Sequence, residues 1–212
     1  MEAPPILVCF AVKEEAKVFQ QILKMRPRAR VVLTGIGEKN AEAAILAALQ
    51  TAHPSLVISS GFAGGLNPAL ESGTIVFDGV DPAMESELLA SGGCGVKFHH
   101  ADRVATTAAE KQKLHASTGA DAVEMESRAI GAICERAGIP FATVRVVLDT
   151  ANEDLPVDFN DLMTVGQKVS YLKLAGAVMK SPGKISGLKQ LQRQSEAAAL
   201  KLAHALVKII PS

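Results

Sequence analysis

A-D-A-V-E-M-E-S-R-A-I-G-A-I-C-E-R-A-G-I-P-F-A-T-V-R-V-V-L-D-T-A-N, residues 120–152, is the stretch that decides the fold. It reads as strand, helix, strand. The pair Met125-Glu126 sits where the first strand hands over to the helix. Gly138-Ile139-Pro140 ends the helix and starts the strand Phe141 to Leu148, and Asp149 stands just past its end. Ligands of α/β sheets bind at the carboxyl ends of the strands, so Glu126 and Asp149, at the exits of two neighbouring strands, are placed to face one ligand. Arg145 is the one charge in the second strand. An interior arginine is costly unless paired, so it is expected to meet a carboxylate or an interface.

Upstream, Ile6 to Ala11 is a continuous apolar run of strand length, as in a parallel or mixed sheet buried on both faces. Ala16, Phe19, Ile22 and Leu23 then recur at helical spacing, which puts Glu14 and Glu15 in a first helical turn directly after a strand. Two readings stand: acids favoured by the helix dipole, or a carboxylate facing the ligand crevice. Arg30 to Leu33 is the next strand. Gly35 and Gly37 turn it into a helix from Asn40 to Ala52, with no third glycine and no acid at the distance a dinucleotide fingerprint needs. Ser55 to Ser60 is a third strand that opens into Gly61 to Pro68, whose glycines, with Ser59 and Ser60 beside them, are read as letting a ligand approach the backbone closely, a sharp turn alone being the alternative.

Thr74 to Asp78 is a short strand and Met84 to Ala90 one or two helical turns. Arg103 to Ala105 reads as a strand, with Thr106 capping a helix from Thr107 to Ala116. His99 and His100, being adjacent, point to opposite faces of a strand and match no zinc spacing. A helix is expected from Asp158 to about Lys180, a break at Ser181-Pro182-Gly183, and an amphipathic helix from Gly187 to Ile209. No repeat, low-complexity tract or long linker divides the chain. It is expected to form one domain over 1–212, with a helical C-terminal extension over about 158–212.

Composition narrows the function classes. Of 212 residues, 48% are hydrophobic and 21% charged, enough for a sizeable α/β core. Lys plus Arg and Asp plus Glu are 22 each, so nothing favours nucleic acid as a partner. With no Trp and one Tyr there is no base-stacking platform. Cys9, Cys94 and Cys134 follow no metal or disulfide spacing, and Cys9 and Cys134 read as buried small hydrophobes. No apolar run approaches the ~18 residues of a membrane span and the N-terminus is not a leader, so the expected location is the cytoplasm.

Five segments resemble, in order, the nucleoside phosphorylase and nucleosidase superfamily: A-V-K-E-E-A at 11–16, T-G-I-G-E-K-N-A at 34–41, I-S-S-G-F-A-G-G-L at 58–66, V-E-M-E-S at 123–127 and V-R-V-V-L-D-T-A-N at 144–152. The branch holds purine nucleoside phosphorylase, uridine phosphorylase and methylthioadenosine/S-adenosylhomocysteine nucleosidase. The tail and T-G-A-D-A-V-E-M-E-S at 118–127 look closest to its hopanoid-associated members, implied to remove adenine from adenosylhopane. The resemblance implies an α/β fold, a three-layer αβα sandwich around a mixed, partly closed sheet. It also implies cleavage of the bond between ribose C1′ and a base nitrogen, with no metal or organic cofactor.

By resemblance, Asp149 is the general acid at the purine and Glu126 the acceptor of ribose hydroxyls. Met125 packs on the sugar, Val104 and Val123 line the base pocket, and Ala63-Gly64 run beside base and sugar. Glu15 matches the glutamate that activates water in the nucleosidases. Ser59 stands where phosphorylases carry an arginine, which favours water over phosphate; phosphorolysis, with inorganic phosphate as co-substrate, is the alternative. Phe62 departs from the small Ser or Thr common beside the nucleophile, and residues 79–100 are short for the loop over the sugar's 5′ side. Those departures fit a bulky 5′ substituent, or a non-catalytic nucleoside-binding module. A homodimer or larger homo-oligomer is implied, because relatives complete the 5′ side with a neighbouring subunit.

Overall fold

Ile6, Val8 and Phe10 alternate with Leu7 and Cys9 along β1 (Ile6–Phe10), and all five are buried. A strand turns successive side chains to opposite faces, so one strand here feeds two cores. Ile6, Val8 and Phe10 pack in a cluster with α1 (Lys13–Ile22) and the C-terminal helix, whereas Leu7 and Cys9 pack with α2 (Glu38–Leu49) and α5 (Ser127–Ala137). The result is helix layers on both faces of a sheet. The computed structural model describes residues 3–23, 28–162 and 184–211.

The other strands are β2 (Ala29–Leu33), β3 (Leu56–Gly65), β4 (Ile75–Asp78), β5 (Cys94–Gly95), β6 (Phe98–His100), β7 (Ala122–Glu124) and β8 (Phe141–Asp149). The remaining helices are α3 (Pro82–Ala90), α4 (Ala108–Thr118), α6 (Phe159–Leu162) and α7 (Lys184–Ile209). The main path of the sheet is β2-β1-β3-β8-β4-β5, with β7 on β3 and β6 on β7. It is mixed: β1, β2, β3 and β8 are parallel, while β4 runs antiparallel to β8 and β7 antiparallel to β3.

One edge of β3 organises the molecule. Along Leu56 to Ser59 it pairs with β1, and at Gly64 and Gly65 it pairs with β7. Since β1 is parallel and β7 antiparallel to β3, their carboxyl ends approach each other along that edge. The ladder is interrupted between them, at residues 60–63. On its other side β3 pairs with β8 along its length, and Gly61 is the partner of Arg145.

Several expectations are corrected. Gly61 to Gly65 do not turn; they extend β3, because β8 and β7 supply their ladder partners. The strands of the 120–152 unit are not neighbours, since β3 lies between β7 and β8. Arg103 to Ala105 form no strand, and Thr107 rather than Thr106 caps α4, its hydroxyl accepting from the Glu110 N–H. Thr106 instead donates its N–H to the Glu110 carboxylate (3.1 Å). The last helix begins at Lys184 rather than Gly187, which lies inside it where a side chain would meet Pro156. The helix expected from Asp158 begins at Phe159; its continuation to Lys180 and the break at 181–183 lie outside the described residues. Cys9 and Cys134 are buried as expected.

Gly61 is required twice over. Its φ is +132°, and a Cβ there would stand 2.6 Å from Oε1 of Glu15. Gly61→Ala is therefore expected to lose about 2–4 kcal/mol in urea unfolding. Gly92→Ala is the control: its φ is +79° but its Cβ would meet nothing within 4 Å. A smaller loss there isolates the Glu15 contact.

Candidate active site

The interruption at residues 60–63 leaves backbone groups of β3 without a ladder partner, and charged side chains take them up. Phe62 donates its N–H to Oε1 of Glu15 (2.8 Å), and its carbonyl accepts from Nη1 of Arg145 (3.0 Å). Glu15 is the third residue of α1, and its second oxygen accepts the Val12 N–H (3.1 Å). One carboxylate thus ties the start of a helix to the edge of a strand 47 residues away. Glu14 is exposed and takes no part.

Arg145 is the ladder partner of Gly61 on β8. Its Nη2 donates to Oγ of Ser59 (3.1 Å), to Glu124 (2.6 Å) and to Glu126 (3.1 Å). The paired carboxylate expected for Arg145 is two carboxylates, reached from the end of β7. Glu126 also accepts the Gly37 N–H (2.8 Å), which ends the α2 turn where Gly37 adopts φ +82°. Glu124 accepts the N–H groups of Glu126 (2.9 Å) and Ser127 (2.8 Å), so it caps α5, where an anion is favoured. Its other oxygen receives the Ser127 hydroxyl (2.7 Å) and lies 2.5 Å from Nδ1 of His100. His100 is therefore engaged with Glu124 while its neighbour His99 points away on β6. Among the described residues, no three His, Cys, Asp or Glu side chains are grouped to hold a metal.

These glutamates are tuned apart. Burial pushes Glu15 up to about 7, against the opposing pull of the Phe62 N–H and Arg145. Burial would also raise Glu124, but Arg145, His100 and Ser127 outweigh it and hold the group at about 2. Glu126 is raised by burial and by Glu124 beside it, with Arg145 opposing. Asp149, at the end of β8, is raised by burial although the Lys111 ammonium touches it.

All nine residues singled out in the sequence, Glu15, Phe62, Ala63, Gly64, Val104, Val123, Met125, Glu126 and Asp149, line one cavity of about 230 Å³. Three of its walls come from elements distant in sequence: α1, the β3 edge, and the β7–β8 unit. Ile36, Leu155, Phe159 and Leu191 add apolar surface. Val104 lies on the loop before α4, and both its backbone groups are held by the Asn160 carboxamide, at 2.9 Å for the N–H and 3.0 Å for the carbonyl. Glu124, Lys111 and Asn160 were not singled out, and His100 was considered only with His99 as a metal ligand. Glu124 lay in plain view beside Met125-Glu126, but one strand residue among acids carries no mark of burial. Lys111 reads as one of two lysines on a polar helix.

A family model described as the phosphorylase superfamily matches residues 11–77 and 94–172. Futalosine hydrolase of Helicobacter pylori superposes with a TM-score of 0.71 at 14% identity, covering 98% of this chain and 97% of that one. The 5′-methylthioadenosine/S-adenosylhomocysteine nucleosidase of Campylobacter jejuni superposes with a TM-score of 0.71 at 16% identity, covering 98% of each. The same nucleosidase from Neisseria meningitidis, in complex with methylthio-immucillin-A, gives 0.65 at 18% identity, covering 97% of this chain and 99% of that one. At such identity the likeness is one of fold.

The tuning of Glu15 predicts a stability slope. The folded chain holds this proton up to about 7, whereas an ordinary glutamate releases it near 4.5. Its contribution is complete below pH 4.5 and is lost as pH rises to about 7, at ~1.4 kcal/mol per pH unit. Glu124 acts oppositely, its contribution growing as pH rises from about 2 to 4.5. Urea unfolding of the wild type and of Glu15→Gln between pH 5 and 7 checks this. The variant is expected to lose that part of the slope, and an unchanged slope excludes Glu15 as the titrating group.

Proposed function

The chain belongs to the phosphorylase superfamily, and from that premise we propose that it cleaves the N-glycosidic bond of a purine nucleoside by hydrolysis. The substrate of this reading is an adenosine modified at its 5′ carbon, of the methylthioadenosine, adenosylhomocysteine or adenosylhopane kind, and adenine is released. The observation that carries it is the Glu15 carboxyl, held on the Phe62 N–H against the cavity and titrating at about 7. A base poised near working pH is what activation of water requires.

In this reading Asp149 gives a proton to the purine as the C1′–N9 bond breaks, so the base leaves neutral. Glu126 receives the ribose hydroxyls, and the anions beside Arg145 favour the cationic sugar. Water adds to C1′ and passes its proton to Glu15. Met125 and Phe62 pack about the sugar, with Val104, Val123, Ala63 and Gly64 about the base.

Electrostatics support water over phosphate. The cavity carries Glu15, Glu124, Glu126 and Asp149 against two arginines. Arg145 is committed to Glu124 and Glu126, and Arg103 is paired with Glu110. A phosphate dianion would meet carboxylates before any uncommitted arginine. Leu155, Phe159 and Leu191 offer an apolar wall that suits an apolar 5′ substituent.

Adenine release from methylthioadenosine, adenosylhomocysteine and a 5′-alkyl adenosine, with and without phosphate, tests this. Release is expected without phosphate, with kcat/KM rising as Glu15 ionises through pH about 7. Asp149→Asn should lower kcat by about 10²–10⁴ with the fold intact. A strict phosphate requirement would replace hydrolysis by phosphorolysis. Binding of all three compounds with no base released would leave a nucleoside-binding module.

A further inference from the structure

Lys111 is completely buried, and its charge has no evident structural reason. It is the fourth residue of α4, in the first turn, and its ammonium reaches across to the segment that follows β8. There it contacts Oδ2 of Asp149 and donates to the carbonyls of Thr150 (2.9 Å) and Glu153 (2.7 Å). The ammonium thus sits among three oxygens, all within residues 149–153. An uncharged donor would hold a loop carbonyl as well, as the Ser72 hydroxyl holds that of Leu148 (2.8 Å). A buried ammonium is expensive unless an anion compensates it, and among the described residues the one carboxylate it touches is Asp149.

The surroundings leave this pairing dominant. Glu153 is turned to the Thr150 N–H (2.8 Å) and Asp154 to the Ala108 N–H at the start of α4 (2.7 Å). β3 and β7 present Gly64 and Val123 to Asp149, and α7 presents the uncharged Gln190 and Leu191. The Asp149 side chain is 13% exposed while Oδ2 is sealed, which leaves Oδ1 as the oxygen open to a ligand.

Resting on the reading of Asp149 as the acid, we propose that Lys111 is its positioning residue. The ammonium anchors Oδ2 inside the wall, directs Oδ1 at the base, and weakens the carboxyl's hold on its proton so that the proton can be passed on. Burial without Lys111 would give an acid that keeps its proton too well; Lys111 without burial would give a permanent carboxylate. The two together make a carboxyl that can both hold and release it.

The test is a ¹³C titration of the Asp149 carboxyl in the wild type, Lys111→Gln and Lys111→Arg, with no substrate present. Gln keeps N–H donors for the Thr150 and Glu153 carbonyls but removes the charge. Its Asp149 midpoint is expected to rise by at least about one pH unit, the lower end of what an adjacent opposite charge imposes. Arg keeps the charge and should leave the midpoint close to wild type. In base-release assays the limb of kcat/KM that reports Asp149 should move up in Lys111→Gln, with kcat lowered and KM little changed. An unmoved midpoint in a folded Lys111→Gln overturns the proposal. Should Lys111→Gln not fold, Lys111→Arg decides: its larger cation displaces Oδ2, so an unchanged kcat overturns the positioning role. Wild-type protein that releases no base overturns the functional reading alone, because the titration is independent of turnover.

Discussion

The backbone of Phe62 lies on a strand edge where no neighbouring strand reaches it, and two charged side chains complete its hydrogen bonds. An unpaired N–H or carbonyl in the interior costs about as much as a lost hydrogen bond, so such an interruption must be repaired. The repair brings Glu15 from α1 and Arg145 from β8 to one point. Arg145 then needs compensating anions, and Glu124 and Glu126 supply them from the end of β7. Those carboxylates in turn fix the starts of α2 and α5. One wall of the cavity and the caps of α2 and α5 follow from one break in one ladder.

The same cluster shows how a fold separates identical side chains. Glu15 and Glu124 both approach Arg145, yet one is pushed to about 7 and the other held at about 2. Both are desolvated. The difference is that Glu124 has a guanidinium at 2.6 Å, a histidine, a hydroxyl and a helix start, whereas Glu15 has two neutral N–H groups and a more distant cation. Asp149 adds an intermediate arrangement, buried but touching one ammonium. A site able to give and take protons near neutrality is assembled from groups that would all be ionised in water.

Much of this was legible in the chain. The apolar run at Ile6 to Phe10 announced a strand buried on both faces, and an arginine inside the run at Phe141 to Leu148 announced a buried partner. Glu126 and Asp149 stood out because each lies where a strand ends, whereas only the family resemblance separated Glu15 from Glu14. The stretch Gly61 to Gly65 was read as lying beside a ligand, and three of its residues line the cavity, but the strand was ended too early, at Ser60, since glycines after a strand suggest a turn. Here they are strand residues made small by what crosses them: the Glu15 carboxylate at Gly61, Val123 and Asp149 at Gly64. Lys111 was invisible, because a lysine on a polar helix looks solvated until the helix is packed.

By itself the sequence determined most of the longer elements, their order and the two faces of the central strands, because these depend on local spacing and on alternation along the chain. It also determined which residue types were available at the strand ends. Only the tertiary structure decided that β3 would separate β7 from β8, that the ladder would break at residues 60–63, and that Asp149 would have Lys111 for company. It alone decided which carboxylates keep a proton. Protonation follows from desolvation and from charges within a few ångströms, and those neighbours come from segments far apart in the chain, brought together only when the sheet closes around them.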